Sequence, residues 1–168
     1  MILKRFLALC VVLLLPGVSA AEEITAPSGP VILTVTGDIA RTNGEGAAHF
    51  DLQMLAEMPV TTFETTTIWT EGAQLFTGVE LHTLAEKLGV QGDHLVASAI
   101  NDYHVEIPMT DAQVGGPILA YMRNGEVMSV RNKGPLWIVY PYDSNVAYRT
   151  ETIYSRSIWQ LDRIKVMK

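Results

Sequence analysis

The segment 136–140, Leu-Trp-Ile-Val-Tyr, is an apolar run framed by Pro135 and Pro141. Proline cannot donate to a strand ladder and pushes the residue before it toward extended geometry. A run this short, rich in β-branched and aromatic residues and bounded on both sides by breakers, reads as one buried strand. Its flanks are polar: Arg131-Asn132-Lys133-Gly134 before it, Tyr142-Asp143 after it. Strand ends and loops are where a fixed scaffold presents binding groups, so these flanks are the first candidates for a site.

The other segments give that strand its company. Residues 31–39 alternate apolar and polar side chains, a strand signal that ends near Gly37. In 49–59, Phe50, Met54 and Leu55 fall at helical spacing and Pro59 stops the run, so a short helix is expected. Residues 60–70 are rich in threonine and aromatics and read as a strand. Residues 78–90 read as a helix with Val79, Leu81, Leu84, Ala85 and Leu88 on its apolar face and Gly89 as its C-terminal cap. Strands are expected over 94–100 and 104–109, and a short helix or turn capped by Thr110 or Asp111 over 110–115. Asn124-Gly125 predicts a hairpin over 117–128. Residues 157–167 read as a helical turn or strand running into a C-terminal strand. Short strands mixed with short helices give an α+β domain.

The first twenty residues have the pattern of an export leader. Lys4 and Arg5 precede an apolar stretch from Phe6 to Leu15, Pro16-Gly17 breaks it, and Val18-Ser19-Ala20 offers small residues for cleavage. The stretch is short for a bilayer span. The expected organisation is therefore a signal peptide at 1–20, a flexible arm at 21–30 and one domain at 31–168, with the mature protein in the periplasm. Cys10 is the one cysteine of the 168 residues, so cleavage leaves no disulfide and no thiolate. Losing Lys4 and Arg5 takes the formal charge from −6 to −8, since no acidic residue leaves with them. That balance argues against nucleic acid and against direct contact with anionic membranes.

Few chemical motifs survive inspection. His49, His82, His94 and His104 show no metal-ligand spacing, and they read as separate surface or hydrogen-bonding residues. There is no nucleophile elbow and no glycine-rich phosphate loop. What remains is an aromatic and basic set beside chain breaks: Trp69, the 101–103 stretch, 131–135, 140–143 and 154–160. Flat aromatics can sandwich a flat ring, an aspartate can accept paired N–H donors, and Arg or Lys can meet carbonyl or phosphate oxygens. The alternative is that the tryptophans and tyrosines are core, and composition does not separate the two.

Five segments in register resemble the oxidoreductase molybdopterin-binding domain, the fold of sulfite oxidase and its bacterial relatives. They are FTGVELHTLAEKLGV, NDYHVEIPMTDA, ILAYMRNGEVM, KGPLWIVYP and SRSIWQLDRIKV, and the likeness runs from about Leu33 to Val166. It implies a single sulfite oxidase-type domain of mixed β-sheet and short helices. It also implies a departure. Catalytic members carry a molybdenum-binding cysteine where this chain has VTTFETTTIWTEG, with threonines and Trp69 in its place. A hydroxyl is a poor ligand for a soft metal-oxo centre. The chain thus resembles a subset of small secreted members that bind a free pterin without metal. In that subset the loaded protein contacts the periplasmic domain of a membrane-bound enzyme that makes and degrades cyclic di-GMP, which implies a ligand sensor in a pathway of biofilm control. On this reading Trp69 or Tyr140 stacks on the pterin. Asp102 or Asp143 accepts from its 2-amino and N3–H groups. Arg131, Lys133 and Arg156 bond its oxygens, and Ser157 bonds it through hydroxyl or backbone. Two alternatives stand: a molybdopterin-dependent oxidoreductase or subunit with non-cysteine ligation, and a module that binds only protein.

Overall fold

The computed structural model describes residues 23–168. The leader reading, with Cys10, lies outside the described residues. Within them the strands are β1 (Leu33–Gly37), β2 (Ala47–Phe50), β3 (Val60–Thr66), β4 (Ala73–Glu80), β5 (His94–Ala99), β6 (His104–Pro108), β7 (Ile118–Arg123), β8 (Glu126–Val127), β9 (Leu136–Val139) and β10 (Trp159–Met167). The helices are α1 (Leu52–Ala56), α2 (Leu81–Leu88) and α3 (Glu151–Arg156). None is long and apolar enough to cross a membrane.

The strands join in one mixed sheet with the path β2-β1-β10-β9-β7-β4-β3; β5 and β6 branch from β10, and β8 from β7. The framed segment is β9. Every residue of it is buried, and it lies between β7 and β10, with Trp137 opposite Ala120 on one side and Trp159 on the other. Burying Leu136 and Ile138 stabilises the fold by about 2 kcal/mol each. β10 is the hub. It runs parallel to β1 (Ile164 beside Val35) and antiparallel to β5 (Ile164 beside Ala97). Gly78 lets β4 pass close to β7, because a Cβ there would run into the Leu119 carbonyl.

Several expectations change in detail. Phe50 lies in β2 opposite Leu33 rather than on α1, and Asp51 caps α1 by accepting the Met54 N–H at 2.8 Å. Val79 belongs to β4 opposite Val60, not to α2; Gly89 does close α2 in left-handed geometry at φ 62°. The turn after β6 starts at Met109 with no side-chain cap, so Thr110 and Asp111 are freed from that role. The C-terminal segment is one long strand. Residues 23–30, expected as a loose arm, lie against the domain. Ile24 is buried, and the Asp51 carboxylate accepts the backbone N–H groups of Ser28 and Gly29 at 2.8 and 2.7 Å. Asn43 bonds the Thr25 carbonyl at 2.7 Å.

Candidate functional site

Two turns and the junction of α3 with β10 meet beside β9. The β3–β4 turn brings Ile68 and Trp69. The β5–β6 turn brings Asn101, Asp102 and Tyr103. The junction of α3 and β10 brings residues 154–160. Together they enclose a cleft of about 450 Å³, within the usual range for small-molecule sites. Its walls are Ile68, Trp69, Ala99, Tyr103, Tyr154, Ile158 and Trp159, with Asn101, Ser155, Ser157 and Gln160 as the polar members. None of these side chains is charged.

Trp69 is the centre of the aromatic wall. Its ring meets Trp159 at 5.5 Å, Tyr154 at 5.9 Å, Trp137 at 6.0 Å and Tyr142 at 6.3 Å, all edge to face. Each such contact adds about 1 kcal/mol beyond buried area. The turn that carries Trp69 is tied down by hydroxyls. Thr67 Oγ1 accepts the Trp69 N–H at 3.1 Å and pairs with Thr70 Oγ1 at 2.7 Å. Asp143 accepts the Thr66 N–H at 2.6 Å and its hydroxyl at 2.9 Å, and its own N–H donates to Thr65 Oγ1 at 3.1 Å.

The residues expected from sequence divide into three groups. Trp69 and Ser157 line the cleft. The Ser157 hydroxyl donates to the Ile153 carbonyl at 3.1 Å and meets the Tyr142 hydroxyl at 2.5 Å, so it braces the wall. Lys133 and Asp102 adjoin the cleft. Lys133 Nζ lies over the Trp159 ring, 4.2 Å from its centre, and 5.5 Å from that of Trp137. Burial lowers the Lys133 pKa, and nearby Arg123 lowers it further. Asp102 takes left-handed geometry at φ 67° and its carboxylate pairs with Arg163 at 2.8 Å.

The third group lies elsewhere. Arg131 is exposed on the short turn 130–132. Tyr140 is fully buried, and its hydroxyl donates to Asp111 Oδ2 at 2.7 Å; burial, then that bond, drives its pKa far up. Arg156 bonds both oxygens of the same carboxylate, at 2.9 and 3.2 Å. Asp143 holds the Trp69 turn. Tyr140, Arg156 and Asp143 act on the frame of the cleft rather than lining it. Sequence reasoning marked the stretches 101–103 and 154–160 without assigning Asn101, Tyr103, Tyr154, Trp159 or Gln160 individually, and it missed Ile68. Only clustering in space distinguishes them.

The donor set does not fit a thiolate-bound metal. The described residues contain no cysteine, and no group of three His, Cys, Asp or Glu side chains among them is placed to hold a metal ion. The hydroxyls of Thr65, Thr66 and Thr67 all take part in bonds within the frame. Aromatic rings beside amides and hydroxyls instead suit a flat, neutral heterocycle.

The profile of the oxidoreductase molybdopterin binding domain matches residues 43–149, more than half of the chain. Among solved structures, the sulfane dehydrogenase SoxCD from Paracoccus pantotrophus is similar, with a TM-score of 0.59 and 20% identity. The likeness covers 80% of this chain and 37% of that one, and at such identity it speaks for the fold. A search of the curated proteins gave no match. By its profile match and its single mixed-sheet domain, the chain belongs to the oxidoreductase molybdopterin-binding domain family, with the sulfite oxidase-type fold.

Proposed function

We propose that this protein is a periplasmic binding module for a free pterin, without redox catalysis, and that its loaded state is read by a protein partner. The observation that carries the reading is the cleft: rings of Trp69, Tyr103, Tyr154 and Trp159 around about 450 Å³, with amide and hydroxyl groups and no charged lining residue. A pterin is flat and edged with amide-like donors and acceptors, which this wall complements. A phosphorylated cofactor asks for several cations; here Lys133 lies over the Trp159 ring and, among the described residues, no charged side chain lines the cleft. Stacking against Trp69 and Trp159 supplies affinity, and the polar groups orient the ring.

The partner we propose is the periplasmic domain of a membrane-bound cyclic di-GMP enzyme, which the family resemblance suggests. The mouth of the cleft supports reading by contact. Ile68 and Tyr103 stand there 63% and 58% exposed, so a bound ring and this rim form one surface.

The test is to purify the mature protein from periplasm, denature it, and record the fluorescence, mass and metal content of what is released. A fluorescent pterin without molybdenum is expected. Molybdenum with a phosphorylated pterin would restore the enzyme reading, and a protein that neither carries nor takes up any pterin would leave a protein-only module. Trp69→Ala removes one stacking face and is expected to weaken pterin binding at least tenfold in a fluorescence titration.

A further inference from the structure

Trp159 and Gln160 are consecutive residues of β10, yet both line the cleft. A regular strand sends neighbours to opposite faces. Here the register slips: Trp159 pairs with Trp137 and Leu161 with Leu136, and Gln160 faces no partner. The bulge sets Gln160 at φ 54°, in the left-handed region that glycine favours. Its N–H donates to the Lys133 carbonyl at 3.0 Å, and its own carbonyl accepts the Ile100 N–H at 2.9 Å. Lys133 is itself left-handed at φ 72°. Glycine would make the same backbone bonds without strain. A glutamine at this position therefore asks what its side chain does.

The amide's orientation is fixed. Gln160 Nε2 donates to the Val130 carbonyl at 2.9 Å, and only an NH₂ group can do so. Oε1 is then the free acceptor, without a hydrogen-bond partner among the described residues. The same reasoning applies to Asn101, one residue beyond Ile100. Its Oδ1 accepts the Tyr103 N–H at 3.2 Å, which leaves Nδ2 as a free donor. Both residues line the cleft. One acceptor and one donor, each held in orientation by a backbone partner, complement a group that presents N–H beside C=O.

We propose that Gln160 Oε1 and Asn101 Nδ2 form the recognition edge of the cleft and read the lactam N–H and C=O of the bound heterocycle. This rests on the pterin-class reading above and narrows it. Specificity lies in a neutral amide pair on the bulge and the β5–β6 turn, and a ring lacking the lactam N–H is discriminated against.

The experiment is a fluorescence titration of the full mature protein with pterin and with 3-methylpterin, which has no N3–H. The wild type is expected to prefer pterin by about tenfold, the worth of one well-made hydrogen bond. Gln160→Gly keeps the backbone geometry. It is expected to weaken pterin about tenfold and to leave 3-methylpterin unchanged, so that discrimination disappears. Asn101→Ala should weaken both probes, since both keep the C4 carbonyl. Because the readout is a ratio between two ligands on the same folded protein, partial loss of stability does not mimic it. Equal affinity of the wild type for both probes, with Trp69→Ala still weakening pterin, would overturn the recognition edge and spare the cleft. Failure of the wild type to bind either probe would overturn both readings.

Discussion

Asp143 is a carboxylate committed to a loop. It clamps the Thr66 N–H and hydroxyl and lies 3.6 Å from Arg149, and through Thr66 it fixes the turn that carries Trp69. The Thr66 backbone N–H, more than any other group, holds its pKa below the usual aspartate value. A carboxylate whose folded pKa is depressed contributes stability that is complete above its unfolded pKa, about 4, and is lost as pH falls through the lower folded value. Asp51 is depressed in the same way, chiefly by the Met54 N–H and then that of Gly29. Acid should therefore loosen two places, the Trp69 turn and the docked segment 23–30. The wild type is expected to change its tryptophan fluorescence as pH falls below about 4, and Asp143→Ala to abolish that change and to weaken pterin binding several-fold at neutral pH. A variant that keeps both wild-type affinity and that acid transition would show the clamp to be unimportant.

At the scale of elements, α3 is too short to be stable alone and survives by its attachments. The Thr150 hydroxyl accepts the Ile153 N–H at 3.3 Å, Ile153 is buried, and Arg156 reaches Asp111 in the turn after β6. Asp111 thus holds both α3 and the Tyr140 hydroxyl. Asp111→Ala leaves a buried hydroxyl and a half-buried guanidinium unpaired and is expected to cost about 3 kcal/mol in denaturant unfolding. In an Arg156→Met background the same change should cost about 1 kcal/mol less, because one orphan is already gone. Strict additivity would mean that Arg156 is solvated rather than tethered. α3 and β4 also show where the sequence was illegible. Six residues of α3 carry too little apolar periodicity to register, and its hold on the fold is a tertiary ion pair. Residues 73–80 of β4 flow into α2 without a breaker, so Val79 read as helix. By contrast β9, framed by prolines, and the β7–β8 hairpin, marked by Asn124-Gly125, carry their boundaries locally.

At the scale of the molecule, β10 ties the site to the core. Its first residues, Trp159 and Gln160, line the cleft, and its next, Leu161, is fully buried beside Leu136 and Ala99. The site residues named from sequence were those with charge or prominent position, whereas the cleft is built by a bulge and by turns that only the closed sheet brings together. All three tryptophans of the chain, Trp69, Trp137 and Trp159, belong to one ring cluster at this end of β9. Intrinsic fluorescence therefore reports on the site, while far-ultraviolet circular dichroism reports on the whole sheet. Leu161→Ala removes a packed side chain between site and core and is expected to cost about 3 kcal/mol. If the cleft is part of one cooperative core, the two signals should shift together to lower denaturant and remain superimposed, as two-state unfolding requires. A fluorescence transition that moves ahead of the dichroism would mark the cleft as a separately opening unit, and ligand binding would then stabilise that unit rather than the fold.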